Sequence, residues 1–485
     1  MKVRTRFAPS PTGYLHIGGL RSALYAYLFA KKNHGDFILR IEDTDQVREV
    51  EGAKDVIYST LKETGLLWDE GPDIGGDYGP YIQTERKDIY TKYAKELVEK
   101  GGAYYCFCTK EELDERRKAV EAKGETFKYD KHCLHLSKEE VEQKLAANTP
   151  YVIRQNIPQT GSTSFDDMVF GTITVDNSTL DDNVLIKADG LPTYNFANVV
   201  DDYLMKISHV MRGTEYLSST PKYNLLYNSF GWEIPKYIHM SPVMRDAQHK
   251  LSKRDGDASY DDFIKKGFLK EAIINYIALL GWNPGTNQEI FSLEELVQAF
   301  SIEGLSKSPA IFDLEKLIWL NGEYIRALSD EEFLAHAKPW FDKASLEEKH
   351  YPILVRILKK RVEYFSQIPQ MVEFLKGLNT LTAELFVHKK SKSTIELSII
   401  ILNTIVDLLS KIDESDWNEE YLHEFFMKQV EKLQLKNSQV LWPVRIAIAK
   451  QAVTPGGAIE ITTILGKDET IKRINSAISL LEKNS

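Results

Sequence analysis

Apolar residues follow two periods along the first hundred positions. Val3 to Ala8 predicts a short strand, which the run Pro9-Ser10-Pro11-Thr12-Gly13 ends. From Gly18 to about Asn33, the residues Leu20, Ala23, Leu24, Tyr27 and Leu28 recur at spacings of three and four and predict a helix with one buried face. Asp36 to Glu42 predicts a buried strand. Strand, glycine-bearing turn, helix and strand make a βαβ unit, the start of a parallel nucleotide-type sheet. Two further helices are predicted at Gly52–Thr64 and Thr84–Lys100.

Residues 101–190 break this rhythm with short strand-like runs, Pro150–Gln155 and Gly171–Val175 among them, and are expected as an insertion between two halves of the sheet. The α/β pattern resumes near Pro192 and continues to about Met244. A charged loop, Arg245–Asp257, then leads into helical segments that run to about Ala327. Beyond residue 330 the pattern is nearly all helical, with windows at Ile353–Phe374, Ser393–Ile412 and Glu419–Leu435. The expected architecture is α/β, a split parallel-sheet domain (1–100 and 191–244) with an insertion (101–190). A linker fold (245–328) and an all-helical C-terminal domain (329–485) follow.

At roughly 150 residues per domain, 485 residues accommodate about three domains. Lys+Arg 61 against Asp+Glu 71 leaves a formal net charge of −10, which excludes a uniformly basic nucleic-acid binder. A polyanion would have to bind through local patches, such as Arg245, Lys250, Lys253 and Arg254, or Arg356, Lys359, Lys360 and Arg361. The three cysteines exclude a disulfide framework and point to a reducing cytoplasm. No signal peptide is expected, and the most apolar windows, Ala272–Trp282 and Leu397–Leu409, are shorter than the ~20 residues of a membrane-spanning helix.

Two motifs carry candidate chemistry. The turn from Ala8 to Gly19 joins a strand to a helix N-terminus, where unpaired N–H groups and the helix dipole favour phosphate. His16 can donate to phosphate oxygens, and Gly18 and Gly19 let a base or ribose approach the backbone. Lys250-Leu251-Ser252-Lys253-Arg254 places three cations in five residues, suited to clamping a polyphosphate. Taken alone, the first is an ordinary strand-to-helix turn and the second a solvated charge run.

Together they change the reading. A PxxxxHIGG turn followed by KLSKR at 250–254 resembles the signature of class I aminoacyl-tRNA synthetases. RFAPSPTG at 6–13, RIEDTD at 40–45, GLPTY at 190–194, NVVDD at 198–202 and LWPVR at 441–445 resemble the bacterial glutamyl-tRNA synthetases in particular. The resemblance runs in register from residue 3 to about 325. It implies a split Rossmann-like catalytic domain, an inserted acceptor-end domain, a stem-contact fold and a helical anticodon domain. It implies L-glutamate bound by Arg6, Ala8, Ser10, Glu42, Tyr194, Asn198 and Arg212, and ATP bound by Thr12, His16, Gly18, Gly19, Lys250, Ser252 and Lys253, with His16 and Lys253 catalytic. Mg²⁺ is expected on the ATP phosphates. Glutamate tRNA is the expected partner, glutamine tRNA is left open as a second, and a monomer is the family expectation. The charge types fit: a substrate with two carboxylates and one ammonium needs two cations, Arg6 and Arg212, and one anion, Glu42.

Cys106-x-Cys108, 24 residues, then Cys133-x-His135 gather all three cysteines in one window with a histidine at matching spacing. Three thiolates and an imidazole suit a closed, structural zinc site, and many members of the family carry this pattern. The plain alternative is three packed cysteines and a surface histidine, and His132 is a rival to His135. Trp442 and Arg445 are candidates for supporting an anticodon-binding surface, or else a core ring and a surface charge. Glutaminyl-tRNA synthetases are the main rival within the class, and a catalytically silent RNA-binding relative is the rival outside it. The helical C-terminal pattern argues against the first. The presence of His16, Lys253 and the pocket arginines argues against the second.

Overall fold

A computed structural model describes residues 2–13, 15–249, 251 and 259–483. The chain divides into two compact units, Met1–Ile264 with Lys270–Leu314, and Lys265–Leu269 with Glu315–Ser485. The second unit therefore begins inside the interval read as a linker fold.

The first unit opens with the predicted βαβ unit. Strand β1 (Arg4–Phe7) pairs in parallel with β2 (Asp36–Leu39), in a register that runs from Arg4↔Asp36 to Phe7↔Leu39. Helix α1 (Ile17–Lys32) crosses between them, and Leu20, Ala23, Leu24 and Leu28 on its inner face are fully buried. His16 caps its start, and Lys31 and Lys32 sit in its last turn, where the dipole favours cations. Helices α2 (Ala53–Glu63) and α3 (Lys87–Glu99) follow close to their predicted bounds.

The interval 101–190 divides between two sheets. Strands β3 (Ala103–Cys106), β4 (Val152–Gln155) and β7 (Val184–Ile186) form an antiparallel sheet of their own, with α4 (Lys110–Glu121) and α5 (Lys138–Ala146) between the first two. The hairpin of β5 (Ser162–Asp167) and β6 (Gly171–Asp176) instead joins the resumed α/β segment. That segment holds α6 (Tyr194–Leu204), β8 (His209–Gly213), α7 (Thr220–Phe230) and β9 (Lys236–Met240). The strand order is β6-β5-β9-β8, with β9 parallel to both β5 and β8. Ser208 N–H donates to Arg4 O at 3.0 Å, which ties the start of β8 to β1.

The second unit is helical, built on Leu314–Ala327, Asp330–Lys343, Tyr351–Leu358, Ile395–Leu409, Glu419–Leu433, Asn437–Ala449, Ala458–Leu465 and Lys467–Lys483. Ile401, Leu402, Ile405, Phe426, Val440 and Val444 are among the fully buried side chains of its core. The window Ile353–Phe374 is not one helix. It breaks after Leu358 and continues as the short helical turns Phe365–Gln367, Ile368–Met371 and Glu373–Lys376, with Pro369 in the first turn of the second. No described helix is long and apolar enough to cross a membrane.

Two glycines separate packing from backbone strain. A Cβ on Gly35 would lie 2.2 Å from Val3 O, against the backbone entering β1, whereas one on Gly52, at φ +77°, meets nothing within 4 Å. Gly35→Ala therefore forces β1 and β2 apart and is expected to cost about 1–3 kcal/mol. Gly52→Ala carries only the left-handed backbone cost of ~1 kcal/mol. Urea unfolding of the two variants checks the order, and a Gly35→Ala protein as stable as the parent would contradict it.

Candidate active site

The ends of β1, β2 and β8 and one face of α6 converge on a buried set of charges. Along α6 the spacing of four puts Tyr194, Asn198 and Asp202 on a common face. Asp202 is the hub. It accepts from Arg6 Nε at 3.0 Å and Nη2 at 3.3 Å, and from Arg40 Nη1 at 2.8 Å. Arg40 Nη2 reaches on to Glu42 at 2.9 Å. Burial alone would raise the Asp202 carboxyl, but the two guanidinium groups outweigh it and hold the group below the usual range. For Glu42 burial wins over Arg40 and pushes the carboxyl up. Behind this layer Asp201 pairs with Arg86 at 2.7 Å and accepts from Gln83 and Tyr90.

Arg212 differs from these arginines. It is buried on β8, yet among the described residues no carboxylate lies within ion-pair distance of it. Its Nε donates to His239 Nε2 at 3.2 Å and its Nη2 to Thr220 Oγ1 at 2.8 Å. The rings of Tyr216, Tyr223 and Tyr237 lie 4.8–5.4 Å from the guanidinium carbon. Asn198 Nδ2 is also buried and meets no acceptor at hydrogen-bonding geometry. The Tyr194 hydroxyl is raised by burial and then by Glu42, while Arg212 and Arg6 oppose the rise. Arg6 Nη1 donates to Met211 O at 3.2 Å, which places it next to Arg212 along the chain.

The turn after β1 closes over this set. Arg40 N–H donates to Phe7 O and Glu42 N–H to Pro9 O, both at 3.0 Å, so RIEDTD runs beside the turn that holds Ala8 and Ser10. Thr12, farther along the turn, is exposed. His16 Nδ1 accepts from Gly18 N–H at 3.1 Å, so the neutral ring carries its proton on Nε2. A methyl at Gly18 would touch only His16 Nδ1, at 3.4 Å, and one at Gly19 would press Leu15 at 3.1 Å. The protein's own packing thus leaves room above Gly18. Lys250, Ser252 and Lys253 lie outside the described residues. The chain following them returns to the same turn, where Ser259 forms an antiparallel bridge with His16.

The three cysteines converge elsewhere in the same unit. Their Sγ atoms all lie within 4.8 Å of one another, and His135 is not part of that group. Tyr129 Oη stands beside the sulfurs, 3.3 Å from Cys106 Sγ and 3.4 Å from Cys108 Sγ. Cys133 lowers the Cys106 thiol through a hydrogen bond, with Tyr129 and Arg154 adding to it, to about 4. Tyr129 Oη thus stands beside the thiols, and the histidine expected from spacing is not in the group.

In the helical unit the Trp442 ring stacks on His388 at 3.8 Å and donates through Nε1 to Leu385 O, and the Arg445 guanidinium carbon lies 4.7 Å from the Trp442 ring centroid. In the basic group at 356–361, Arg356 pairs with Glu419, and Lys359 with Asp330 at 2.9 Å.

Sequence reasoning did not single out Asp202, Arg40, Tyr216, His239, Asp167 or Tyr129. The signal for Asp202 was present, since two adjacent aspartates in an otherwise apolar helix have to meet buried cations. Nothing in the local sequence marks Asp167 or His239, which the sheet brings together across 72 positions.

Comparison with known proteins agrees with this geometry. Residues 2–319 match the family described as class I tRNA synthetases (E and Q), catalytic domain, and residues 332–478 match an anticodon binding domain. A glutamate–tRNA ligase of Clostridium botulinum is 59% identical over 99% of both chains. One from Clostridium tetani is 58% identical over 99% of this chain and 98% of that one. A crystal structure of a glutamate tRNA ligase from Elizabethkingia meningosepticum, in complex with its amino acid, is 37% identical with a TM-score of 0.88 over 99% of this chain and all of that one. A parallel-sheet unit with this cleft, full-length likeness to those ligases and a helical anticodon-binding unit lead to one assignment: the chain belongs to the class I glutamate–tRNA ligases.

Proposed function

We propose that Arg6, Ala8, Ser10, Glu42, Tyr194, Asn198 and Arg212 form the L-glutamate pocket of an enzyme that charges glutamate tRNA. The observation that carries this reading is the unneutralised charge of Arg212. A buried guanidinium without a carboxylate is costly unless a ligand supplies the anion. Arg6 is already compensated by Asp202, and three of its five N–H groups are engaged within the protein. Arg212 is therefore the seat of the side-chain carboxylate, and Glu42 of the ammonium. Glutamine would leave Arg212 without a counter-charge, which is how the pocket rejects it.

ATP lies over the turn, against Thr12, His16, Gly18 and Gly19. Lys250, Ser252 and Lys253 close on its phosphates, and Mg²⁺ accompanies them. The glutamate α-carboxylate attacks the α-phosphorus, forming the adenylate and releasing pyrophosphate. A terminal ribose hydroxyl of the tRNA then attacks the adenylate carbonyl and releases AMP. No side-chain nucleophile is required. His16 Nε2–H and Lys253 act by stabilising charge that builds on the phosphates. The sheet of β3, β4 and β7 is proposed as the acceptor-end domain, and the helical unit as the reader of the anticodon.

The three thiols suit a structural zinc, because their sulfurs all lie within 4.8 Å of one another and soft thiolates favour that ion. The position of Tyr129 Oη supports its phenol as the fourth group, and Arg154, 4.2 Å above the Tyr129 ring, offsets the negative charge. The metal would brace β3 against the turn that carries Cys133.

Arg212→Met is expected to raise KM for L-glutamate by about a hundredfold, on the order of 3 kcal/mol, with KM for ATP within about threefold of the parent. Aminoacylation kinetics with glutamate tRNA check this, and an unchanged glutamate KM contradicts the pocket. Metal analysis should find about one zinc per chain, lost in Cys106→Ser and Cys108→Ser. Tyr129→Phe should bind zinc more weakly than His135→Ala. The reverse order would move the fourth position to His135, and carefully prepared protein without zinc would remove the site.

A further inference from the structure

We infer that Asp167 and His239 form an arm that fixes the orientation of Arg212, which makes them positioning residues for glutamate selection. The inference rests on the reading that Arg212 meets a substrate carboxylate.

The arm is built by strand register. Arg212 on β8 and His239 on β9 are direct cross-strand partners, and Asp167 at the end of β5 pairs with Tyr237 on the other side of β9. The side chains of His239 and Asp167 are fully buried. Asp167 Oδ1 accepts from the N–H groups of Val169 at 2.9 Å and Phe170 at 2.8 Å. Its Oδ2 accepts from His239 N–H at 3.1 Å and from His239 Nδ1 at 2.7 Å. A carboxylate accepts only, so Nδ1 carries the imidazole proton, and Nε2 presents a lone pair to Arg212 Nε–H at 3.2 Å. This assigns one tautomer. Burial, aided by Arg212, keeps the ring neutral against the pull of Asp167.

The chemistry of the arm explains why a histidine stands between the two charges. Were Asp167 in direct contact with Arg212, it would neutralise the guanidinium and remove the reason for binding a carboxylate. A neutral imidazole passes on direction without passing on the counter-charge. The tyrosine rings around Arg212 attract it from several sides and do not select an orientation. The bonds from Nε to His239 and from Nη2 to Thr220 do, and they leave Nη1 without a protein acceptor among the described residues. Fixing that edge is the positioning that a bidentate carboxylate contact needs.

The test is steady-state aminoacylation of glutamate tRNA by the full-length protein, with KM measured separately for L-glutamate and ATP. His239→Phe removes the acceptor, and Asp167→Asn places an amide donor against Nδ1 and forces the opposite tautomer. Each should raise the glutamate KM by about tenfold, the factor carried by a lost charge-assisted hydrogen bond, with ATP KM within about twofold. His239→Gln, whose amide oxygen reaches toward the Nε2 position, should recover most of the loss. Arg212→Met is measured beside them. If it raises the glutamate KM while His239→Phe and Asp167→Asn do not, the arm is overturned and the pocket stands. If Arg212→Met itself has no effect, the pocket reading fails and the arm with it. Glutamate and ATP constants rising together in His239→Phe, or no recovery in His239→Gln, would mark the network as structural only and overturn the proposal. Should His239→Phe fail to fold, Asp167→Asn, which keeps the Oδ1 contacts to Val169 and Phe170, decides the question.

Discussion

Charge taken out of water has to be balanced, and the cleft of this ligase is organised by where that balance is met and where it is withheld. Asp202 answers two arginines, Arg6 and Arg40, and Arg40 in turn answers Glu42. Asp201 answers Arg86 one layer deeper. These pairs gain little net stability over apolar packing, since desolvation offsets most of their attraction, but removing one member leaves an uncompensated buried charge. They therefore act as a rigid frame. Within that frame Arg212 is contacted by rings, a threonine hydroxyl and a neutral imidazole, and no carboxylate among the described residues lies within ion-pair distance of it. The functional reading depends on that one asymmetry.

The fold supplies the asymmetry through parallel strands of different sequence separation. β1 and β2 are joined by a single helix, and Arg6 on β1 and Arg40 just beyond β2 both reach Asp202. β8 and β9 add Arg212 and His239 as a register pair, and β5 reaches them from the interval that otherwise forms the separate sheet of β3, β4 and β7. The insertion is thus not independent of the catalytic sheet. Its hairpin contributes Asp167, so a segment that looks peripheral along the chain stands two hydrogen bonds from Arg212, the arginine proposed to select substrate.

Much of this was legible before any coordinates. The βαβ unit was written in the period of Leu20, Ala23, Leu24 and Leu28, and its observed bounds fall within one residue of the expected ones except at the end of β2, which stops at Leu39, three residues before Glu42. The residues proposed for the pocket, Arg6, Glu42, Tyr194, Asn198 and Arg212, could be named because long motifs carry them, and Asp202 and Arg40 link Arg6 to Glu42 in the structure. The difference between Arg6 and Arg212 was not legible, because two arginines of like chemistry differ only in their neighbours. The cysteine cluster was read from spacing, but the position of Tyr129 beside it was not, since a phenol four residues before Cys133 looks like any core aromatic. The helical window at Ile353–Phe374 is one helix only to Leu358 and then a series of short turns, because a spacing of three and four fits short turns as well as one continuous helix. Register, which makes Arg212 and His239 neighbours, is invisible to periodicity, because every strand of the sheet alternates alike.

The most direct measurement is a crystal structure of the protein with a non-hydrolysable analogue of glutamyl-adenylate. The account predicts the side-chain carboxylate on Arg212, at hydrogen-bond distance from its Nη atoms, with the His239 and Thr220 contacts kept and the ammonium beside Glu42. A carboxylate held by Arg6 alone, with Arg212 unengaged or paired to a protein acid that has moved in, would contradict it.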